Sequence, residues 1–229
     1  MIYQQGTGHL HVDNLTVRRG LSVYELIINQ ARGSNGSFWI SDTAKIHTVT
    51  ETPTHWVCRI DTADGDALVP FIIGDIVACW NWNDNGGKYF ASVVSATTLD
   101  SFTLRKDLWD GVSFPDVGDV IIRTGHQTNT SRQGTIYLTA SDANAPYMDV
   151  MDEVNNFSFQ GRTRVRLGSL TGMFYNGVAL GGHGLFSDRV FLTGAIRHVD
   201  GRWALEADGS GLVANGAISW TAAGVMTME

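Results

Sequence analysis

The sequence predicts a mainly β protein: a barrel-like antiparallel domain with a short N-terminal helix before it and a C-terminal fibre-like β segment after it. Three observations carry this prediction. Short runs of β-branched and aromatic residues alternate with turn clusters from Ser37 to Gly125, at the spacing of an antiparallel barrel or sandwich. Only one early segment shows apolar residues at intervals of three and four. Glycine punctuates the last sixty or so positions, where no long apolar face forms.

The first element, Leu10 to Val17, alternates weakly and reads as a strand. Val17, Leu21, Tyr24, Ile28 and Ala31 then fall on one face of a helix. Gly20 costs that helix roughly 1 kcal/mol and two heptads are a short run, so a single packing helix fits better than a coiled coil. Tyr24, Leu26 and Ile28 would also suit one face of a strand. The run Gly33-Ser34-Asn35-Gly36 ends the element, giving a first unit of residues 1–36.

The barrel-like domain is expected over residues 37–125. Its strands are Phe38 to Ile40, Trp56 to Ile60, Leu68 to Ile73, Ile76 to Trp82, Tyr89 to Val94 and Phe102 to Leu104. Asp64-Gly65-Asp66, Asn83-Asp84-Asn85-Gly86-Gly87 and Asp100-Ser101 supply the reversals. Ile73-Gly74-Asp75-Ile76-Val77 recurs as Val117-Gly118-Asp119-Val120-Ile121. In each copy the glycine permits a turn and the aspartate can accept hydrogen bonds from nearby amides before an apolar strand begins. The matching contexts favour twin turn roles for Asp75 and Asp119 over a catalytic carboxylate pair.

Residues 126–168 read as a strand-rich connector and 169–229 as the fibre-like segment. In the latter, Gly194-Ala195-Ile196 and Gly216-Ala217-Ile218 echo each other, with Gly224-Val225-Met226 as a looser copy. Such short strands bury little within one chain, which predicts a homo-oligomer.

Composition limits the chemistry. Sixteen basic against 23 acidic residues give a net charge of -7, and no Lys/Arg run offsets it, so nucleic acid is not an expected partner. No apolar stretch approaches the roughly 20 residues of a membrane span, and Met1 to Gly6 has neither the basic start nor the apolar core of an export signal. Cys58 and Cys79 each lie in an apolar run, where a thiol serves as a small hydrophobe rather than as half of a disulfide. His9 and His11 would share a strand face but lack a third ligand, so no metal site is assigned. His47, His126, His183 and His198 show no ligand spacing, and no nucleophile elbow or phosphate-binding loop is present. The reading is of a non-enzyme without a cofactor.

One cluster points to a ligand. Trp80, Trp82 and Trp109 accompany the polar loop Asn83, Asp84 and Asn85, and indole faces stack on sugars while Asn and Asp bond hydroxyls. These six residues are the candidate glycan site. The plainer reading, anchors in a barrel core or between subunits, is preferred over it.

Between Val117 and Gly168 the chain reads Gly118-Asp119-Val120-Ile121, then Arg132-Gln133-Gly134-Thr135-Ile136-Tyr137-Leu138. Ser141-Asp142-Ala143-Asn144-Ala145-Pro146-Tyr147-Met148-Asp149-Val150 and Arg166-Leu167-Gly168 follow. In order and spacing this resembles the minor structural proteins of bacteriophage tails and prophage tail tips. Upstream, Val23 to Gln30, Gly36 to Asp42 and Lys45-Ile46 look like the entry to the same module. Downstream, Gly184 to Gly194 is similar to the junction where such proteins pass into fibre. The resemblance implies a virion protein at the distal tail, assembled in the host bacterial cytoplasm and often trimeric. It would join other phage tail proteins to host-recognising parts or contact host cell-surface polysaccharide itself. It implies no catalytic residues. The ending at Glu229, abrupt for a fibre, predicts a fragment or a short protein that hands over to another component. The alternative from another class is a tail-borne polysaccharide-degrading enzyme, which two suitably spaced carboxylates would suffice to make.

Overall fold

The computed structural model describes residues 37–60, 68–83 and 86–228. The expected strand at Leu10 to Val17 and the helix over Val17 to Ala31 lie outside the described residues. Within them the only helical turns are two of 3-10 type, at Thr130–Arg132 and Ala214–Gly216.

The strands, in chain order, are β1 (Ser37–Ile40), β2 (Thr43–Glu51), β3 (His55–Ile60), β4 (Asp75–Asn83), β5 (Gly86–Thr97), β6 (Ser101–Gly111) and β7 (Val120–His126). They continue as β8 (Thr135–Thr139), β9 (Tyr147–Met151), β10 (Thr163–Ser169), β11 (Phe174–Tyr175), β12 (Val178–Ala179) and β13 (His183–Ser187). The last five are β14 (Ile196–Arg197), β15 (Ala204–Leu205), β16 (Gly211–Val213), β17 (Ile218–Trp220) and β18 (Met226–Met228).

Strands β2-β3-β6-β5-β4-β7 close into an antiparallel barrel. Alternate residues point inward, as a closed sheet requires. Ala44 and Ile46 on β2, Trp56, Cys58 and Ile60 on β3, Val77 and Cys79 on β4, and Phe102 and Leu104 on β6 form one core with Phe90, Val94 and Ile121. On β4 and β5 the outward residues Ile76, Ala78, Ala91 and Val93 are also buried, so this wall is covered on both faces. That is why Ile76 to Cys79 reads as a continuous apolar run rather than an alternating one. Cys58 and Cys79 lie in the interior and no disulfide joins them. Burial, and secondarily the charge of Asp119, pushes the Cys58 thiol up to about 12.

The paired Gly-Asp phrases form matching turns. Ile72 N donates to Asp75 Oδ2 at 2.8 Å, and Asp116 N donates to Asp119 Oδ2 at 2.8 Å. Gly74 and Gly118 both sit at φ 92°. The Gly74 amide donates to Val94 O and the Gly118 amide to Ile46 O, each at 2.8 Å. An alanine at Gly118 meets nothing within 4 Å, so G118A should cost only the left-handed strain of about 1–2 kcal/mol. At Gly74 the new Cβ would stand 2.7 Å from the His126 ring, so G74A should add about 1–3 kcal/mol of overpacking. Urea midpoints of the two variants, measured side by side, check that order; equal midpoints would contradict it.

Two expected features differ. Leu68 to Ile73 is irregular rather than a strand. Pro70 has no amide to give a ladder, and the segment's backbone bonds go elsewhere: Val69 N to Leu99 O, Ile72 N to Asp75, and Ile73 O to His126 Nε2. Phe71, 2% exposed, turns into the barrel core and meets Phe102 edge-on at 5.1 Å. The strand expected at Phe38 to Ile40 forms, but outside the barrel. It pairs with β8 in a five-stranded open sheet of order β1-β8-β9-β10-β13, so the barrel strands themselves run from Thr43 to His126.

The remaining strands form the β11-β12 hairpin and a meander, β14-β15-β16-β17-β18. The three Gly-x-x echoes each lead into one of its strands, β14, β17 and β18. From 169 to 228 only Ser169, Ala204 and Gly211 are buried, so these strands have hydrogen-bonded ladders but almost no core.

Candidate functional site

Where the open sheet meets the barrel lies a half-open cleft of about 1040 Å³. Its floor is a cross-strand row set by register: Trp39 opposite Tyr137, Tyr137 opposite Asp149, Asp149 opposite Arg166. Period-two alternation sends all four side chains to one face. Its far wall is the barrel's Thr43, Val120, Ile122 and Trp80.

The polar groups hold one another. Asp149, 3% exposed, is gripped in bidentate fashion by Arg166, with Nε to Oδ1 and Nη2 to Oδ2 both at 2.6 Å, and it also accepts the Thr163 hydroxyl at 3.1 Å. The Arg166 guanidinium lies 3.8 Å over the Tyr147 ring. Tyr137 and Tyr147 both donate to Asp142 Oδ2, at 2.7 and 3.2 Å.

Desolvation, reinforced by Asp142, pushes the Tyr147 hydroxyl from an ordinary 10 up to about 12. The folded state thus holds this proton more tightly than the unfolded chain does. Its contribution is complete below pH 10 and is lost as pH rises through about 12. Burial also holds the Tyr89 and Tyr137 hydroxyls above their ordinary value, so tyrosinate absorbance should show a late phase that Tyr147→Phe reduces by one tyrosine; a titration unchanged by the substitution would contradict the assignment.

The aromatic residues form a joint. Trp80 of the barrel stacks on Trp39 of the sheet, with centroids 5.0 Å apart and planes at 7°. Phe159 leans on both, at 5.6 Å from Trp39 and 6.4 Å from Trp80, and Tyr137 packs on Trp39 at 4.3 Å. Tyr89 stands beside Trp80 at 5.5 Å, and Trp39 and Trp80 are both half-buried.

The six residues read from the sequence as a glycan site are thus distributed. Trp80 lines the cleft. Trp82 and Asn83 are on β4, and Asp84 and Asn85 lie outside the described residues. Trp109 packs on the barrel core instead, stacked on Phe90 at 4.8 Å and against Trp56 at 4.4 Å. Sequence alone does not single out Trp39, Asp142, Tyr147, Asp149 and Arg166 as site residues, although all five stand in the phrases that carry the phage-tail resemblance. Their order along the chain was visible, but their convergence depends on strand pairing between distant segments. Among the described residues no three His, Cys, Asp or Glu side chains come together as a metal site requires.

A second polar joint ties the barrel to the segment that follows it. Arg132 donates Nε to Asp75 Oδ1 and Nη2 to Asp75 Oδ2, both at 2.8 Å, and also reaches Asp42 Oδ2 at 2.9 Å and Pro70 O at 3.2 Å. Arg123 donates to the same Asp42 oxygen at 2.9 Å. His126 accepts the Thr128 and Asn129 amides on Nδ1, which places its proton on Nε2, facing Ile73 O at 3.1 Å. Gln133, 4% exposed, donates to His126 O at 2.8 Å. The Arg-Gln pair of the tail-like phrase is a clamp on the barrel's end.

No family model matches the chain, and neither the curated proteins nor the solved structures contain a match to it.

Proposed function

We propose that this chain is a structural subunit of a phage tail tip or tail fibre, working as a homotrimer that links the tail to host recognition and acts without catalysis. The observation that supports the reading most is the segment 169–228, which has strands and turns throughout yet only three buried residues. Ladder hydrogen bonds alone do not offset the entropy of ordering sixty residues. Packing against identical segments supplies the missing burial, as it does in fibrous β assemblies. The all-β fold and the tail-like phrases agree with this role, which would place the protein in the virion beside other tail proteins.

Attachment to a host-surface glycan is the second part of the proposal. The cleft offers Phe159 and the edges of Trp39 and Trp80 for apolar sugar faces, with Asp142 at its rim for hydroxyls. Several copies would add avidity to weak single sites. A polysaccharide-degrading activity would need two carboxylates available to the ligand. Of the two aspartates in the cleft among the described residues, Asp149 is occupied by Arg166 and Thr163, which leaves Asp142 alone.

Light scattering coupled to size exclusion, over a range of concentrations, tests the structural part. A three-chain mass is expected, and a concentration-independent single-chain mass sinks it. Binding to host cells or their surface polysaccharide tests the attachment part. Its absence would remove attachment and leave the structural role standing. A fall in polysaccharide viscosity would favour the enzyme.

A further inference from the structure

The open sheet has two unlike faces. One carries the cleft row just described. On the reverse, register aligns Phe38, Leu138, Met148, Leu167 and Leu185 across all five strands. The neighbouring row, which begins at Ile40, is aliphatic until it ends at Ser187. No charged side chain interrupts either row. Phe38, Ile40, Leu167 and Leu185 are 63, 51, 55 and 57% exposed.

An antiparallel sheet with one solvated face normally places polar residues there. This sheet instead puts its charged pair, Asp149 and Arg166, on the cleft side and leaves hydrocarbon outside. At these exposures the apolar side chains of the two rows present roughly 600 Å², the upper end of what a monomer leaves open and most of the about 800 Å² per partner of a specific interface.

We propose that this reverse face is the contact between copies of the chain. The inference rests on the oligomer reading and names the surface that the globular part contributes to it. Continuity along the chain selects the occupant. The chain leaves β13 at Ser187 and passes into Val190, Phe191 and Leu192, which are 54, 91 and 56% exposed, then into the coreless meander. Copies gathered by that segment bring their open sheets together beside it. A flat hydrocarbon face with no charge to complement suits an identical face better than a polar ligand or a charged partner.

The test uses the full chain and two substitutions. Leu167→Glu puts a charge at the centre of the face, at an exposed position where an isolated chain tolerates it. Light scattering should find the wild type assembled and L167E at single-chain mass, or dissociating at a concentration at least tenfold higher. An assembled wild type with an unchanged L167E overturns the proposal and leaves the oligomer intact. A single-chain wild type overturns both.

Should L167E fail to fold, Leu185→Cys gives an independent reading, because Cys58 and Cys79 are buried and silent to a maleimide. Labelling of Leu185→Cys in the assembled protein should run at least tenfold slower than labelling of Asp107→Cys, whose side chain is 65% exposed. Equal rates overturn the proposal.

Discussion

Replacing Arg132 by alanine should lower the unfolding free energy by about 3–5 kcal/mol, the range for stripping one partner from a buried ion pair. Asp75 has no solvent exposure, and Arg132 supplies both of its charge-assisted hydrogen bonds. Without the guanidinium, Asp75 keeps, among the described residues, the Ile72 amide alone as a donor to its carboxylate. Asp42 and Pro70 O lose a donor at the same stroke. Arg132→Lys should recover only part of the loss, because an ammonium cannot make the two parallel bonds. In the double variant Arg132→Ala with Asp75→Asn the cost should be smaller than in Arg132→Ala alone, since no charge is left stranded. Denaturant unfolding at one fixed protein concentration measures all three. A loss below 1 kcal/mol in Arg132→Ala would show that water already solvates Asp75.

The second large effect is expected at Phe71. Phe71→Ala should cost about 3–5 kcal/mol, in the range for a fully buried aromatic. Its ring closes the core against Phe102 from a segment whose backbone is pinned at Val69, Pro70, Ile72 and Ile73, which limits how far the chain can move in to fill the space when the ring is gone. The spread within that range depends on how far the segment can collapse into the space. Near-ultraviolet circular dichroism and a thermal melt would read both the loss and any loosening of the core. A melt within a degree or two of wild type would mean that Phe71 is dispensable to the core.

These two residues mark where the sequence was legible and where it was not. Strands β3, β4, β5 and β6 announced themselves through runs of β-branched and aromatic residues between turn clusters, because both signals are local. The twin turns were legible for the same reason: each is marked by a glycine at positive φ and by an aspartate that accepts the amide three residues before it. Leu68 to Ile73 looked like a strand because its composition is that of one, and only Pro70 argued otherwise. Arg132 and Asp75 stand 57 positions apart, and Ser37 and Thr139 stand 102 apart. No periodicity reports such pairs. Trp80 and Trp109 were grouped because both neighbour polar loops in the chain, yet the first faces the open sheet and the second belongs to the core. Trp39, the partner that gives Trp80 its role, comes from a strand the sequence assigned to the barrel.

The placement of β1 has a consequence for how the molecule folds and for how it could be rebuilt. Strand β1 precedes the barrel and β8 follows it, yet the two are hydrogen-bonded neighbours, so the whole barrel is an insert between adjacent strands of another sheet. Pairing β1 with β8 in an unfolded chain would mean closing a loop about as long as the barrel, with an entropic cost that grows with the logarithm of its length. A barrel folded first holds its entry and exit together through Asp42, Arg123 and Arg132, and the pairing becomes a short-range event. The expected order of assembly is then barrel before sheet. By the same geometry the barrel is a cassette: its two ends leave from neighbouring points, so a different domain with closely spaced termini could take its place without disturbing the register of the sheet that carries it.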